Sequence, residues 1–306
     1  MSTSRTRSSG PKVAAALSGA ATAGLGYAAL VERRWYRLRQ VTVPVLRPDA
    51  ARPLRLLHLS DLHLTPAQDH KRAFVRTCLQ ARPDVVVATG DLLGHADAVD
   101  PAVELLAAAA RDRPAVAVLG SHDFWEPTLK NPFDYLLAPD RRVRGAPLDT
   151  DRLVDGLTAA GWQLLDNRRV AIGTAAGPID IAGLGDPHVD KDRPELVDWS
   201  RPAAAATALR LAVVHAPYRR ALDTFDRHGF DLALAGHTHG GQLRLPGVGA
   251  LVANCDLPLA KARGLSRHGA ELWLHVSAGL GTSRYAPLRF ACRPEATLLD
   301  IVPGRG

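Results

Sequence analysis

Five short apolar runs, each followed closely by Asp or His, constrain the fold of this 306-residue chain more than any other feature. Longer segments with helical periodicity separate several of them, and this alternation is typical of an α/β domain. The apolar runs are residues 54–59, 85–88, 115–119, 211–214 and 232–235. The helical candidates include 71–81, 101–111 and 219–228, and further strands are predicted at 169–172, 179–184, 272–276 and 296–302.

The polar residues that end these runs define one candidate site. Ligands of open α/β sheets bind outside the carboxyl ends of the strands, so five such endings are expected to converge on a single crevice. Residues i and i+2 of an extended segment point to the same face, which lets Asp61 and His63 grip one ion, as His237 and His239 can. An isolated His is more often a core or capping residue, but five endings in order argue against that interpretation. The predicted metal ligands are Asp61, His63, Asp91, His215, His237 and His239.

The chemistry of these side chains selects the metal. Imidazole and carboxylate ligands without thiolate favour Mn, Fe, Zn or Co ions. Six protein ligands exceed the needs of one catalytic ion with open positions, and Asp91 is placed to bridge two ions. Two ions about 3.5–4 Å apart form the usual clamp for displacement at phosphorus, and they lower the pKa of a bridging water towards neutrality. The sequence therefore predicts a hydrolase of phosphate esters that uses hydroxide activated by a dinuclear metal centre.

The order of the motifs resembles the calcineurin-like metallophosphoesterase superfamily: Asp-x-His, Gly-Asp, Gly-x-His-Asp, His and Gly-His-x-His. The runs GHTHGGQLRLPG (236–247) and GLGTSRYAPLRFACRPE (279–295) make the chain similar to the bacterial membrane-associated branch of that superfamily. The resemblance covers roughly residues 50–303. It implies a four-layer α/β/β/α sandwich, in which helices flank a double β-sandwich and the metals lie at the sandwich edge.

The resemblance also implies roles for individual residues. It places the first ion among Asp61, His63, Asp91 and His239, and the second among Asp91, His215 and His237. His122 corresponds to the histidine that contacts the phosphate and protonates the leaving oxygen, a role that imidazole suits near neutral pH. Asp123 would then orient His122 through a hydrogen bond.

Ser121 departs from the pattern of that family, which usually has Asn here and uses its amide oxygen as a ligand of the second ion. A hydroxyl on a shorter side chain is a poorer ligand. We therefore expect either that the second ion binds with lower affinity or that water completes its coordination.

The N-terminal segment, residues 1–39, is basic and apolar. Its uncharged stretch 13–31 is just long enough to cross a bilayer as a helix. Because Ala and Gly insert weakly, a cleaved signal peptide and a soluble helix stay open as alternatives. We predict a single uncleaved membrane anchor whose orientation is undecided, since both flanks are positive. Residues 40–53 are predicted as a Pro-punctuated linker with a possible edge strand, and 54–303 as the catalytic domain.

The net charge of +7 does not predict binding to long nucleic acid. Ten of the 38 Lys and Arg residues but only two acids lie in residues 1–55, which leaves 28 basic against 29 acidic residues in the remainder. A near-neutral catalytic part lacks the electrostatic footprint of a protein that binds a polyanion. Three widely spaced cysteines favour neither a disulfide framework nor a structural zinc site.

Other polar residues carry weaker signals. Residues 124–151 form a long aromatic-rich connection that is either a substrate lid or a packed Ω-loop. Asp186 and His188 line the cleft or, by a slight preference, form a turn in which His188 is solvated. His58 is expected to be a packed neighbour of the site. Three further residues could contact the substrate, and the sequence does not decide their roles: His95, Arg284 and Arg289.

The leading functional hypothesis is hydrolysis of a phosphomonoester, phosphodiester or pyrophosphate, with a lipid-linked ester as one candidate because of the N-terminal segment. Hydrolysis of UDP-diacylglucosamine is the nearest named activity in the branch that the chain resembles, but this is an analogy. A cyclic-nucleotide phosphodiesterase or a nuclease is the second enzymatic hypothesis. The third is a non-catalytic or weakly active metal-binding scaffold of the same fold.

Overall fold

The computed structural model describes residues 18–19, 22–128, 144–200, 207–282, 285 and 287–304. Its longer helices are α1 (Asp69–Leu79), α2 (Val99–Ala110), α3 (Thr150–Ala159) and α4 (Arg219–Arg227). Its strands are β1 (Arg37–Leu46), β2 (Leu54–Leu59), β3 (Val85–Thr89), β4 (Ala115–Val118), β5 (Trp162–Leu164), β6 (Arg168–Thr174), β7 (Gly177–Gly183), β8 (Leu209–Val213), β9 (Leu232–Ala235), β10 (Arg244–Leu245), β11 (Gly249–Ala250), β12 (Gly264–His268), β13 (Leu272–Val276) and β14 (Glu295–Pro303). Short helical turns cover Tyr27–Val31, Glu32–Arg34, Ala96–Ala98, Ser121–Asp123, Pro187–Val189, Pro194–Leu196, His239–Gly241 and Leu259–Lys261.

Two six-stranded sheets form the centre of the molecule. The first has the order β1-β14-β2-β3-β4-β5, and the second has the order β12-β13-β9-β8-β7-β6. Strands β2 to β5 are parallel in the first sheet, and β13, β9, β8 and β7 are parallel in the second. The separate hairpin β10–β11 follows the end of β9.

The continuous apolar runs become strands because both of their faces are buried. In β3, Val85 and Val87 face the core between the two sheets, whereas Val86 and Ala88 face the helices α1 and α2. Successive side chains of a strand point to opposite faces, so one unbroken apolar run supplies two cores at once.

The helices form the outer layers. Helices α1, α2 and α3 cover the first sheet, and α4 packs Leu222 and Phe225 against the second. This arrangement confirms the predicted four-layer α/β/β/α sandwich. Helices α1, α2 and α4 lie where the periodicity placed them, within two residues at each end.

The prediction of a linker at 40–53 is wrong for residues 40–46, which belong to strand β1. Strand β1 begins at Arg37, pairs in parallel with β14 and buries Val43 and Leu46 between the sheets, so the domain starts before residue 54. The expected edge strand is confirmed. Pro44 is tolerated there because an edge strand has one side on which a missing N–H breaks no ladder bond.

Two predicted segments lie partly outside the described residues. Within the described part of the chain, no helix is long and apolar enough to span a bilayer, while 1–17 and 20–21 are outside that part. Of the proposed lid 124–151, residues 129–143 are likewise outside it. The two described ends pair with each other through a bridge between Trp125 and Pro147.

Candidate metal centre

The five polar endings lie together where strands of both sheets finish. The amide of Gly236 donates to the carbonyl of His215, and the amide of His237 donates to both oxygens of Asp61 at 3.0 and 3.1 Å. This last contact joins the end of β9 in the second sheet to the end of β2 in the first. The predicted convergence on one edge is therefore present in the structure.

Glycine is required where the strand ends approach one another most closely. A Cβ at Gly120 would collide with Oδ1 of Asp91 and with the His215 ring, and one at Gly236 would collide with Ser60 Oγ. These two positions let carboxylates and imidazoles pack against bare backbone.

Donor atoms of three residues form the first half of the centre. Asp61, His63 and His239 each offer a ligand atom, and these atoms lie within 4.8 Å of one another. Nε2 of His63 is 3.3 Å from Nε2 of His239 and 3.4 Å from Oδ2 of Asp91. Burial lowers the pKa of His239 to about 3 and that of His63 well below its usual value, so both rings are neutral at pH 7, the form in which imidazole can bind a metal.

The second half is built around His215. Asp61, Asp91 and His215 form another group with donor atoms within 4.8 Å. His215 Nδ1 lies 2.6 Å from the carbonyl of Thr89 and must donate to it, which directs Nε2 into the centre at 3.6 Å from Oδ1 of Asp91. Nε2 is buried and has no hydrogen-bond partner. A buried ring nitrogen without a partner fits a metal ligand.

Asp91 faces both halves. Its Oδ2 is nearest His63, and its Oδ1 is nearest His215 and also accepts the amide of His122 at 2.8 Å. Burial alone would raise the pKa of Asp91, but the surrounding His215, His122 and His63 outweigh it and hold that pKa well below its usual range. Asp91 is therefore a permanent carboxylate between two sets of nitrogen ligands.

Burial raises the pKa of Asp61, but its effect on His215 is outweighed by nearby carboxylates. Asp61 has its pKa raised to about 6 by burial. Burial disfavours the charged form of His215 too, yet the carboxylates of Asp91, Asp186 and Asp61 outweigh burial and raise its pKa to about 10. The protein thus places a proton on His215 that a bound cation would replace.

The ligand segments are not extended, which corrects the argument from i and i+2 spacing. Five of the six predicted ligands have positive φ angles: Asp61 (48°), His63 (40°), Asp91 (52°), His237 (66°) and His239 (49°). The left-handed region costs a residue with a Cβ of order 1–2 kcal/mol. Asp61 and His63 do reach the same group, but they do so through this strained backbone.

His237 lies beside these groups without joining them. Its Nε2 is 3.0 Å from the carbonyl of Asn254, and its ring centre is 5.2 Å from that of His215. Since Nε2 is engaged, Nδ1 is the ring nitrogen that remains for a metal.

The turn Ser121–Asp123 gives its three residues different positions. His122 packs its ring 5.1 Å from the ring of His63 and offers an atom to the group formed with His63 and Asp91. The prediction that Asp123 orients His122 through a hydrogen bond is wrong. The short turn directs the Asp123 carboxylate back onto the amides of Gly120, Leu92 and Leu93, while His122 Nδ1 lies 3.4 Å from the carbonyl of Trp125.

A buried chain of hydrogen bonds supports Asp61 and was not predicted. Ser60 Oγ donates to Asp61 at 2.5 Å, and Thr89 Oγ1 donates to Ser60 Oγ at 2.7 Å. His58 Nε2 lies 2.9 Å from Thr89 Oγ1, and Nδ1 of His275 lies 3.0 Å from Nδ1 of His58. Burial lowers the pKa of both histidines, so both are neutral and each link can donate towards Asp61. His58 is a packed neighbour, as expected, but it is also part of this chain.

Two of the residues whose roles the sequence left open, Arg289 and His95, form hydrogen bonds with protein backbone groups. The guanidinium of Arg289 is fully buried and donates to the carbonyls of Ala278 and Gly281 at 2.7 and 2.6 Å. His95 Nδ1 accepts the amide of Asp97 and caps a short turn. Arg284 lies outside the described residues.

A two-sheet sandwich whose edge gathers buried Asp and His side chains is the arrangement that the resemblance to metal-dependent phosphoesterases implied. The family model of calcineurin-like phosphoesterases matches residues 54–241, and the chain belongs to that family. It is a hydrolase that acts on ester bonds, and the predicted family resemblance is confirmed.

Relatives span nearly the whole chain. It is 29% identical to a protein named phosphodiesterase YaeI from Escherichia coli, over 92% of this chain and 94% of that protein. It is 30% identical to the uncharacterized metallophosphoesterase YkoQ from Bacillus subtilis, over 82% of this chain and 85% of that protein. A bovine transmembrane protein with a metallophosphoesterase domain is 29% identical, and 56% of its length is covered.

Metal binding is predicted to release a proton from His215. A pKa raised to about 10 keeps His215 protonated at pH 7.5 in the metal-free protein, and a cation at Nε2 must displace that proton. Titration calorimetry in two buffers of different ionisation enthalpy should report release of about one proton. Equal enthalpies in both buffers would contradict the prediction, and His215→Gln should remove the difference.

Thr89→Val tests the hydrogen-bond chain. The substitution keeps the shape of the side chain but removes the hydroxyl that links His58 to Ser60, so the affinity for Mn²⁺ should fall about 10–100-fold. Thr224→Val is the matched control, because that hydroxyl donates only to the carbonyl of Arg220 within α4. Calorimetric dissociation constants that agree among the wild type and both variants would rule out the supporting role.

Proposed function

We propose that the centre holds two divalent ions and hydrolyses a phosphodiester or pyrophosphate. The observation that carries the proposal is the position of Asp91, whose two oxygens lie 3.4 Å from His63 on one side and 3.6 Å from His215 on the other. This arrangement suits a carboxylate that two ions share. The first ion would be held by Asp61, His63, Asp91 and His239, and the second by Asp91, His215 and His237.

When bound, the ions supply Lewis-acid activation of water and of the phosphoryl oxygens. The protein residues orient the reaction around them. His122 donates its amide to Asp91 and packs its ring beside His63, which supports a role for His122 as the donor of a proton to the leaving oxygen. Asp123 acts as a positioning residue, because its carboxylate clamps the segment after Asp91 to the turn that carries His122.

A diester is favoured over a monoester as the substrate. The name of the Escherichia coli relative is the first support. The second is the absence, among the described residues of the centre, of an arginine free to clamp a terminal phosphate, since Arg289 is engaged by backbone carbonyls.

An exposed apolar surface supports a lipid-linked substrate and association with a membrane through residues 13–31. The hairpin β10–β11 exposes Leu245 and Val248, and Leu243 beside it pairs with Phe290. Phe290 in turn contacts Tyr27 edge-to-face at 6.3 Å, which places the hairpin beside the end of the N-terminal segment. The hairpin begins shortly after the turn that starts at His239, and Arg244 at its start donates to the carbonyl of Gly240, so the surface that would meet lipid adjoins the metal centre. Apolar surface and adjacent basic residues are what an interfacial protein uses to bind anionic lipid.

Asp91→Ala tests the catalytic proposal. Loss of the shared carboxylate should lower hydrolysis of bis-p-nitrophenyl phosphate with Mn²⁺ by about 10³-fold or more. Asp97→Ala is the matched control, because Asp97 is a solvent-exposed acid on a neighbouring turn. Wild-type activity that stays at background across Mn²⁺, Zn²⁺, Fe²⁺ and Co²⁺ would favour the scaffold hypothesis instead.

The double variant Leu245→Asp with Val248→Asp tests the lipid proposal. Two apolar side chains removed from a lipid interface should reduce hydrolysis of a lipid pyrophosphate in anionic vesicles about tenfold or more, whereas hydrolysis of the soluble aryl diester should not change. Leu196→Asp is the control, since Leu196 is 68% exposed on a different turn. Equal losses on both substrates would reject a lipid-facing role for the hairpin.

A further inference from the structure

A third carboxylate, besides Asp61 and Asp91, lies near His215 and is not among the predicted ligands. Asp186 is fully buried at the end of β7, next to β8 in the second sheet. Its Oδ1 accepts the amide of His188 at 2.8 Å and starts a short helical turn. The turn predicted at Asp186 is present, but the solvated His188 expected with it is wrong, because that ring packs 4.4 Å from the ring of His237. The turn engages only one of the two carboxylate oxygens of Asp186.

The other oxygen has no protein partner. Oδ2 of Asp186 is buried and makes no hydrogen bond. Leaving a buried polar atom unpaired costs about 1–3 kcal/mol, and more for a charged group. Nε2 of His215 is buried and unpaired in the same region, and no direct ion pair joins the two. A carboxylate oxygen and an imidazole nitrogen that both lack a partner are complementary to a cation between them.

The surroundings of Asp186 place it on the second-ion side. Its carboxylate acts electrostatically on His215 and Asp91, and the amide of Ser121 is near enough to oppose the rise in its pKa that burial causes, although no hydrogen bond forms to Oδ2. The same turn carries His188, whose ring centre lies 4.4 Å from that of His237. Asp186 therefore lies among His215, His237 and Ser121, the residues of the second half-site.

We infer that Asp186 is an additional ligand of the second metal ion and takes over the role that the short Ser121 side chain leaves open. The inference rests on the proposed dinuclear centre. It assigns a carboxylate to the half-site where the family pattern has a neutral amide, and the added negative charge would favour a divalent cation there. It also predicts that the second site binds more tightly than Ser121 alone would allow.

Metal titration of Asp186→Asn tests the inference without relying on activity. The amide keeps an oxygen for the His188 amide, so the turn is preserved, while the negative charge is lost. Protein freed of metal by chelation would be titrated with Mn²⁺ by calorimetry and its bound metal counted by elemental analysis. We expect the first binding step to be unchanged and the second to weaken about 10–100-fold.

Two further variants sharpen the result. Asp166→Asn is the matched control, because Asp166 is a neighbouring half-buried acid whose two oxygens both accept the amide of Leu119. Ser121→Asn added to Asp186→Asn should restore much of the second step by supplying an amide oxygen.

The outcomes separate the inference from the proposed function. Two equivalents in the wild type with an unchanged second step in Asp186→Asn would overturn the role of Asp186 alone. A second step that weakens equally in Asp166→Asn would also overturn it, because any neighbouring acid would then have the same effect. A wild type that holds only one equivalent would overturn the dinuclear centre, and the role of Asp186 with it.

Discussion

The structure depends on the burial of several carboxylates and imidazoles at one point between two sheets. Asp61 and Asp91 are withdrawn from water with donor atoms within 4.8 Å of each other, and Asp186 is buried nearby. Burial disfavours each charge, and like charges repel, so such a cluster is unfavourable unless cations compensate it. The proton on His215 supplies part of this compensation in the metal-free protein, and divalent ions would supply it fully. The electrostatics of the fold therefore favour the binding of cations at this site.

Rigid support keeps the cluster in place. Parallel strands of both sheets end at the same edge. The predicted ligands that follow them have positive φ angles, and this backbone directs their side chains into the centre. Thr89 serves both halves of the centre, since its carbonyl orients His215 while its hydroxyl is linked to Asp61 through Ser60. Asp123 clamps the loops on the other side of Asp91. The strain stored in the ligand segments is thus balanced by buried hydrogen bonds from the strands behind them.

Apolar runs and their polar ends are local signals, and they were sufficient to predict an α/β domain and the convergence of the site residues. The four-layer arrangement was predicted from the resemblance to the family. The sequence was insufficient wherever a contact joins distant segments. His58 and His275 are separated by 217 residues, and only the packing of one sheet against the other brings their rings together. The role expected for Asp123 failed for a different reason, since a three-residue turn can direct its last side chain to backbone amides as readily as to a neighbouring ring. Strand β1 was partly missed because Pro44 hides an edge strand in sequence.

The N-terminal segment and the first half-site are physically connected. Buried Glu32 accepts the amides of Ala291 and Cys292 at 3.0 and 2.6 Å, and Cys292 Sγ lies 3.3 Å from the carbonyl of His239. A single buried carboxylate thus ties the segment that we propose to meet the membrane to the loop that packs against a metal ligand. Because interiors are close-packed, the position of this segment and that of His239 are coupled through these contacts. Attachment to a lipid surface would then fix the position of the catalytic edge as well as that of the chain.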